Sequence, residues 1–309
     1  MLKMGALNSD TDIPCCASCG IAEINDIKLK ECNDCGLVRY CSDECQHNHK
    51  SEHEAACKKR AAELRDELLF KQPESTHEGD CPICCLPMPL YLSEPIMYFC
   101  CSKIICSGCA HHANKIRRRE MRRERLCPFC REPVLRDDDA GTIKRRMKRV
   151  AANDPEALCN EGMVKESEGD YSKAFEYYTK AAELGVGEAH YRLAFLYGDG
   201  KGVQKDKGKK IFHFEEAAIG GHPFARYLLG GFERSDNNNA ERAVKHDIIA
   251  ATQGVAGSID MLMEAYKKGL ISKDVLATTL RANQAAVDAM KSPQREAAKK
   301  ALEKWRKRA

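Results

Sequence analysis

The chain has 309 residues, with 50 lysines and arginines against 46 aspartates and glutamates, and so a net charge of +4. That length points to two or three modules rather than one, and so small a net charge names no partner. No stretch approaches the roughly 20 apolar residues that a membrane span requires, so a soluble protein with no membrane partner is expected.

The cysteines divide the chain. Of 18, 17 lie between Cys15 and Cys130, and Cys159 stands alone beyond them. Such clustering implies cross-linking, by disulfides or by metal. The opening MLKMGALNSDTDIP turns polar after seven residues and shows neither an apolar signal core nor a cleavage pattern. An intracellular, reducing compartment, cytoplasmic or nuclear, is therefore expected, and with it metal rather than disulfides.

The first block pairs Cys16 with Cys19, Cys32 with Cys35, Cys41 with Cys45 and His53 with Cys57. Zinc takes four thiolate or imidazole donors at roughly 2.0–2.3 Å, and two cysteines separated by two residues in a tight turn reach one ion together. His53 and Cys57, four apart, share a helix face and do the same. Eight ligands make two tetrahedral sites. The block, including the stretch YCSDECQ, resembles the MYND zinc finger. By that resemblance Cys16, Cys19, Cys41 and Cys45 hold one ion and Cys32, Cys35, His53 and Cys57 the other, with Cys15 left over. MYND modules bind short proline-containing peptides through a glutamine and a tryptophan after the sixth cysteine. Gln46 is present, but Lys50 stands where the tryptophan would fall and removes the flat surface of such a groove. His47 and His49 read as exposed helix positions. The stretch KKRAAELRDELLF follows, placing Ala61, Leu64 and Leu68 on one helical face before Pro73 ends it.

The second block offers Cys81 and Cys84, Cys100 and Cys101, Cys106 and Cys109, and Cys127 and Cys130. It resembles a RING finger over residues 80–134, a fold in which the first and third ligand pairs share one ion and the second and fourth share the other. Cys81, Cys84, Cys106 and Cys109 then form one site. The other takes Cys127, Cys130 and a pair between. The usual histidine position falls on Lys103, which ligates zinc only when deprotonated. Cys100 and Cys101 fill both places, with His111 or His112 as rival donors. Four Zn2+ ions are expected in all. The resemblance also implies recruitment of a ubiquitin-conjugating enzyme. Ile83 and Pro128 match the apolar contacts offered to that enzyme, and Arg131 matches the arginine that bridges it to ubiquitin. The tryptophan often seen before the seventh ligand is absent.

Two basic runs, KIRRREMRRER at residues 115–125 and KRRMKR at 144–149, raise the local charge. The first includes Glu120 and Glu124, has few aromatic neighbours and offers only Ala113, Ile116 and Leu126 as an apolar stripe. It reads as a solvated helix and argues against a nucleic-acid partner. In RDDDAGTIKRRMKR the acidic run and Gly141 mark a solvated boundary, with Ile143, Met147 and Val150 beginning a helix.

Beyond residue 153 the alanine pairs Ala181-Ala182, Ala217-Ala218 and Ala250-Ala251 recur at steps of 36 and 33 residues. Each pair precedes Gly185, Gly221 or Gly254, suited to the left-handed cap that ends a helix. Each unit reads as two antiparallel helices. In the second unit Ala189, Leu193 and Leu196 form one apolar face, and Ile211, Phe214 and Ala218 the other. These units resemble Sel-one-like repeats, relatives of the tetratricopeptide repeat, most clearly in DYSKAFEYYTKAAELG and AHYRLAFLYGDGKGVQKDKGKKIFHFEEAAIGG. Such solenoids bind other proteins. A less regular unit at 261–290 and a charged helix around Trp305 would cap the array.

The expected fold is multidomain: two small zinc-stabilised α+β fingers followed by an all-α helical-hairpin solenoid. Its parts are a MYND-type finger at 13–60, a helical linker at 61–78, a RING-like finger at 79–136, a charged linker at 137–152, repeats at 153–291 and a capping helix at 292–309. The function implied is that of a zinc-binding protein-interaction protein, a RING-type ubiquitin ligase or ligase adaptor whose repeats hold a partner. The alternative is a non-enzymatic scaffold with purely structural fingers. No residue is expected to do covalent chemistry.

Overall fold

The computed structural model describes residues 14–23, 27–90, 96–119, 125–134 and 139–307. The chain forms two compact units, Met1–Lys71 and Gln72–Ala309.

In the first unit, β1 (Lys30–Glu31) pairs antiparallel with β2 (Arg39–Tyr40), Lys30 facing Tyr40. The 27-residue helix α1 (Asp43–Leu69) follows. The Ser42 side chain accepts the Cys45 N–H, and Asp43 and Glu44 favour the positive end of the helix dipole. One helix thus carries Cys45, His53 and Cys57 and runs on through the segment read as a linker. Its inward face differs from the expected one: Leu68 stays 55 % exposed and Leu69 is buried. Among the described residues the core holds Cys16, Cys32 and Cys35 with Leu29 and Tyr40, and partly buried Ala17 and Val38 pack against it, too little apolar surface to fold without a further cross-link.

The second unit opens with a non-helical segment at 72–79, which turns at its end where the Gly79 N–H donates to Thr76 O at 2.9 Å, then the second finger. There β3 (Ile96–Tyr98) pairs antiparallel with β4 (Lys103–Ile105), Ile96 facing Ile105, and α2 (Ser107–Arg119) follows. Met88, Tyr98, Ile105 and Ala110 are buried among Cys81, Cys106, Cys109 and Cys127. Next comes α3 (Ala140–Ala151), which packs on α4 (Pro155–Ser167). The array continues with α5 (Tyr171–Glu183), α6 (Gly187–Asp199), α7 (Lys207–Ile219), α8 (Pro223–Ser235), α9 (Ala240–Thr252), α10 (Ala256–Lys267) and α11 (Lys273–Ala289). Helices α4 and α5, α6 and α7, and α8 and α9 pack as hairpins. All three alanine pairs are buried, where small side chains let the helices approach closely. Gly185, Gly221 and Gly254 follow them at φ +87°, +85° and +99°, the left-handed caps the spacing implied. Asp154, Asp170, Asp206, Asn239 and Ser272 each cap a helix start through the side chain.

The helix expected to begin with Ile143, Met147 and Val150 is α3, in which Thr142 and Arg146 are buried and Val150 packs on the core, while Ile143 and Met147 are exposed. Buried Arg146 donates to buried Glu161 at 2.6 Å, and its guanidinium lies 5.6 Å from the centre of the Phe99 ring. The last helix, α12 (Pro293–Arg306), packs on α2 of the second finger rather than closing the array. Gly108 permits this, since a Cβ there would stand 2.7 Å from the Arg295 backbone nitrogen. Residues 1–13, Glu120, Glu124, Asp137 and Asp138 lie outside the described residues, as does the Trp305 side chain.

Segment 72–79 lies along the turns between repeats. The His77 N–H donates to Gly221 O at 3.3 Å, and a Cβ on Gly221 would meet Ser75 O at 2.8 Å. Gly185 has the same conformation in open space. Gly185→Ala is therefore expected to cost about 1 kcal/mol and Gly221→Ala about 2 kcal/mol or more, read from chemical unfolding of the array. Equal losses would mean that the segment does not pack there.

Candidate metal centres

One turn is used four times. Cys16, Cys32, Cys81 and Cys127 each accept an N–H on their carbonyl from the fourth residue on, at 2.8–3.1 Å. Those fourth residues, Gly20, Gly36, Cys85 and Arg131, all have positive φ, between +53° and +78°. The reversal turns the two cysteines of each pair toward one point. Glycine takes that conformation without strain, whereas Cys85 and Arg131 take it at a cost of about 1 kcal/mol.

The pairs assemble into four groups whose ligand atoms all lie within 4.8 Å of one another: Cys16, Cys19, Cys41 and Cys45; Cys32, Cys35, His53 and Cys57; Cys81, Cys84, Cys106 and Cys109; Cys100, Cys101, Cys127 and Cys130. Observed Sγ separations include 3.5 Å for Cys19 and Cys41, 3.7 Å for Cys32 and Cys57, 3.9 Å for Cys81 and Cys109, and 3.7 Å for Cys101 and Cys127. A tetrahedron with zinc–sulfur bonds of about 2.3 Å has edges of roughly 3.8 Å, whereas a disulfide needs about 2.05 Å. The sites fit zinc and exclude disulfides, and all the cysteines are free.

Charge gives the same answer. Burial would raise the Cys16 thiol, but the backbone N–H groups of Cys19 and Cys41 bring it down to about 6. Its neighbour Cys41 is pushed up to about 12 by hydrogen bonding first to Cys19 and then to Cys45. Cys81 is likewise drawn down to about 7, against burial, by the backbone N–H groups of Cys106 and Cys84, while burial and then Cys106 push Cys109 upward. Thiols packed this closely cannot all ionise without a cation among them. Backbone N–H groups already face some sulfurs: Leu37 on Cys35, Cys106 on Cys81 and Cys109 on Cys106, each at 3.4 Å.

Cys100 and Cys101 both join Cys127 and Cys130, while His111 and His112 sit on α2 outside that group. Lys103 is exposed on β4. Cys15, Cys85 and Cys159 also stand outside the four groups. Ile83 is 43 % exposed, Arg131 is exposed and Pro128 is half-buried. Beside the second group of the first finger lies a groove of about 420 Å³, lined by Gln46, His47, Lys50 and Glu54 among others. His49 was read as an exposed position and is not one. It is half-buried, its Nδ1 lies 3.1 Å from the Tyr40 hydroxyl, and its ring stacks on that of His53 at 5.8 Å. A histidine four residues before a ligand on one helix was the available signal.

A fifth convergence, His77, Glu188 and His222, also brings ligand atoms within 4.8 Å. Its chemistry differs. His222 Nδ1 accepts the Ala225 N–H at 3.2 Å, so Nε2 carries the proton and donates to Glu188 at 3.0 Å. Arg192 Nε donates to the other Glu188 oxygen at 2.6 Å. Burial would raise the Glu188 carboxyl, but His222 and Arg192 bring it down to about 2. Burial, aided by His222, holds His77 neutral, at about 3. Both Glu188 oxygens and both His222 nitrogens are thus engaged in hydrogen bonds, and His77 stacks on the His222 ring at 4.1 Å with its Nε2 3.7 Å from Glu188.

The rival donors for the last group separate by mutation. Cys101→Ser is expected to lower the zinc content by one ion per chain, while His111→Ala and His112→Ala keep all four, by elemental analysis of desalted protein. Loss of an ion from either histidine variant would place that histidine in the site instead.

A family model for the MYND finger matches residues 16–57, and one for the Sel1 repeat matches 158–186 and 187–222. DAP3-binding cell death enhancer 1 of Mus musculus is 27 % identical over 167 residues, covering 41 % of this chain and 33 % of that protein. The chain thus spans about a third of the length of that relative. Among solved structures, a Sel1 repeat protein from Oxalobacter formigenes is 26 % identical, covering 48 % of this chain and 66 % of that one, with a TM-score of 0.42. The antigen c5321 of uropathogenic Escherichia coli, which displays an SLR fold, is 23 % identical over 47 % of this chain and 33 % of that one, with a TM-score of 0.41. No helix among the described residues is long and apolar enough to cross a membrane. The chain carries a MYND finger, a second cysteine-rich group of ligands and Sel1 repeats, and it is a zinc-binding protein built from protein-interaction modules.

Proposed function

We propose that the sixteen grouped cysteine and histidine side chains hold four zinc ions, and that the second finger is a RING-type module that docks a ubiquitin-conjugating enzyme while the repeats hold a partner protein. The observation that carries this reading is the pairing in the second finger. Its first and third ligand pairs lie together, and so do its second and fourth. That interleaving ties both ends of the module to its middle and sets Ile83 and Pro128 on the two outer turns. Arg131 stands on a fixed backbone, its N–H donating to Cys127 O at 3.1 Å. Catalysis by such a module is positional: it would hold a thioester-linked ubiquitin so that a lysine of the bound partner attacks it, and no side chain of this chain reacts. Exposed Leu184, Phe195 and Phe212 on the array suit protein contacts. The mouse relative is itself named for binding DAP3.

A non-enzymatic scaffold is the second reading, and a specific observation favours it: helices α3 and α12 both pack on the second finger, as expected for a module used as a structural part. Nucleic-acid binding is disfavoured, because Arg145 bonds to Pro133 O, Arg146 to Glu161 and Arg149 to Ser102 and Asp154. Those arginines of the second basic run already have partners within the unit.

A ubiquitination assay with a panel of conjugating enzymes tests the proposal. Cys81→Ser should abolish transfer through loss of zinc. Ile83→Ala and Arg131→Gly should each lower transfer about tenfold or more while keeping four zinc ions. Because Arg131 sits at φ +61°, glycine relaxes the turn as it removes the guanidinium, and the melting temperature should hold or rise. No transfer by the wild-type chain with any enzyme, or full activity of Arg131→Gly, would leave the scaffold reading.

A further inference from the structure

The last helix reaches back to a metal group far away in sequence. Arg295, on α12, is only 7 % exposed. Its Nη1 donates to Pro87 O and to Met290 O, both at 2.7 Å. Its Nη2 donates to Leu86 O at 3.2 Å and lies 3.4 Å from the Sγ of Cys84. The carbonyls are neutral. A guanidinium taken out of water requires a nearby anion, yet the acceptors around Arg295 among the described residues include no carboxylate. The anionic candidates are the sulfurs of Cys84 and Cys106, which also act on Arg295. Four neutral thiols would not serve. Four thiolates around Zn2+ carry a net charge of about −2 and supply what the buried cation lacks.

The contact embraces both ligand pairs of that group. Leu86 O, which accepts from Arg295, also accepts the Cys81 N–H at 2.9 Å and so closes the first cysteine turn. Gly108, between Cys106 and Cys109, leaves room for the Arg295 backbone against the start of α2. We infer that Arg295 is a positioning and counter-charge residue for the zinc group of Cys81, Cys84, Cys106 and Cys109, so that a helix 211 residues after Cys84 governs how tightly this finger holds its ion. The inference rests on the zinc reading of that group. Hydrogen-bond donors outside the ligand shell orient the ligands and offset their charge, and their loss typically weakens metal binding about 10- to 100-fold.

The test uses the full chain loaded with zinc and challenged with an excess of a chelating dye in the presence of iodoacetamide. The dye reports zinc release, and peptide masses show which thiols have been freed. In Arg295→Met one ion per chain should leave about 10- to 100-fold faster than in wild type, with alkylation on Cys81, Cys84, Cys106 and Cys109. Arg295→Lys, which keeps a charge but loses the fork, should fall between. Gly108→Ala displaces the helix without altering the guanidinium and should release the same ion. Wild-type release rates in Arg295→Met, with only a lower melting temperature, would reduce the contact to packing and overturn the inference. Faster release spread evenly over all four groups would overturn it too. If the wild-type chain itself shows these four cysteines alkylated at once, the zinc reading of the group fails, and the inference with it.

Discussion

The structure depends on one constraint: sulfur atoms held about 3.5–3.9 Å apart by backbone turns. At that spacing thiols repel one another as they ionise, and only a cation makes the arrangement favourable. Each finger has a core too small to fold on apolar burial, and the ligands take the place of the missing side chains. The left-handed residue four positions after Cys16, Cys32, Cys81 and Cys127 is the local device that aims those four pairs, while Cys106 and Cys109 are aimed by the start of α2. That glycine fills it in the first finger, and Cys85 and Arg131 in the second, shows that the turn tolerates some strain once an ion rewards it.

Charge also joins the second finger to the array. Arg145, Arg146 and Arg149 reach from α3, and Arg295 from α12, each toward a carbonyl, a hydroxyl, a carboxylate or a thiolate. Arginine suits this work because its planar fork makes several directed bonds from one cation. A finger held from two sides keeps a fixed position on the repeats. For a transfer module, a fixed distance between the docked enzyme and the bound partner would select which lysines are reached. For a scaffold, it would make the finger a rigid part of the array.

The sequence disclosed what depends on short-range spacing. CxxC turns, His53 with Cys57 on one helix face, alanine pairs at a regular step and their terminal glycines are local patterns, and each has its counterpart in the fold. What depended on distant partners was not visible. Arg146 is buried against Glu161, 15 residues further on, and nothing local to α3 signalled that pairing. Leu69 rather than Leu68 is buried, a choice that no pattern local to α1 indicated. Arg295 looked like one more charge on a polar C-terminal helix, and nothing near it in sequence pointed to Cys84. His49 was passed over because its partners are a hydroxyl and a ring rather than a metal.

Native mass spectrometry of the intact chain, purified without added chelator, tests the account most directly. It predicts a dominant species carrying four zinc ions, which drops to three when any one of the four groups loses a cysteine. A dominant species with two ions, unchanged by Cys81→Ser and Cys127→Ser, would show that the second finger is not a zinc module and would contradict the account.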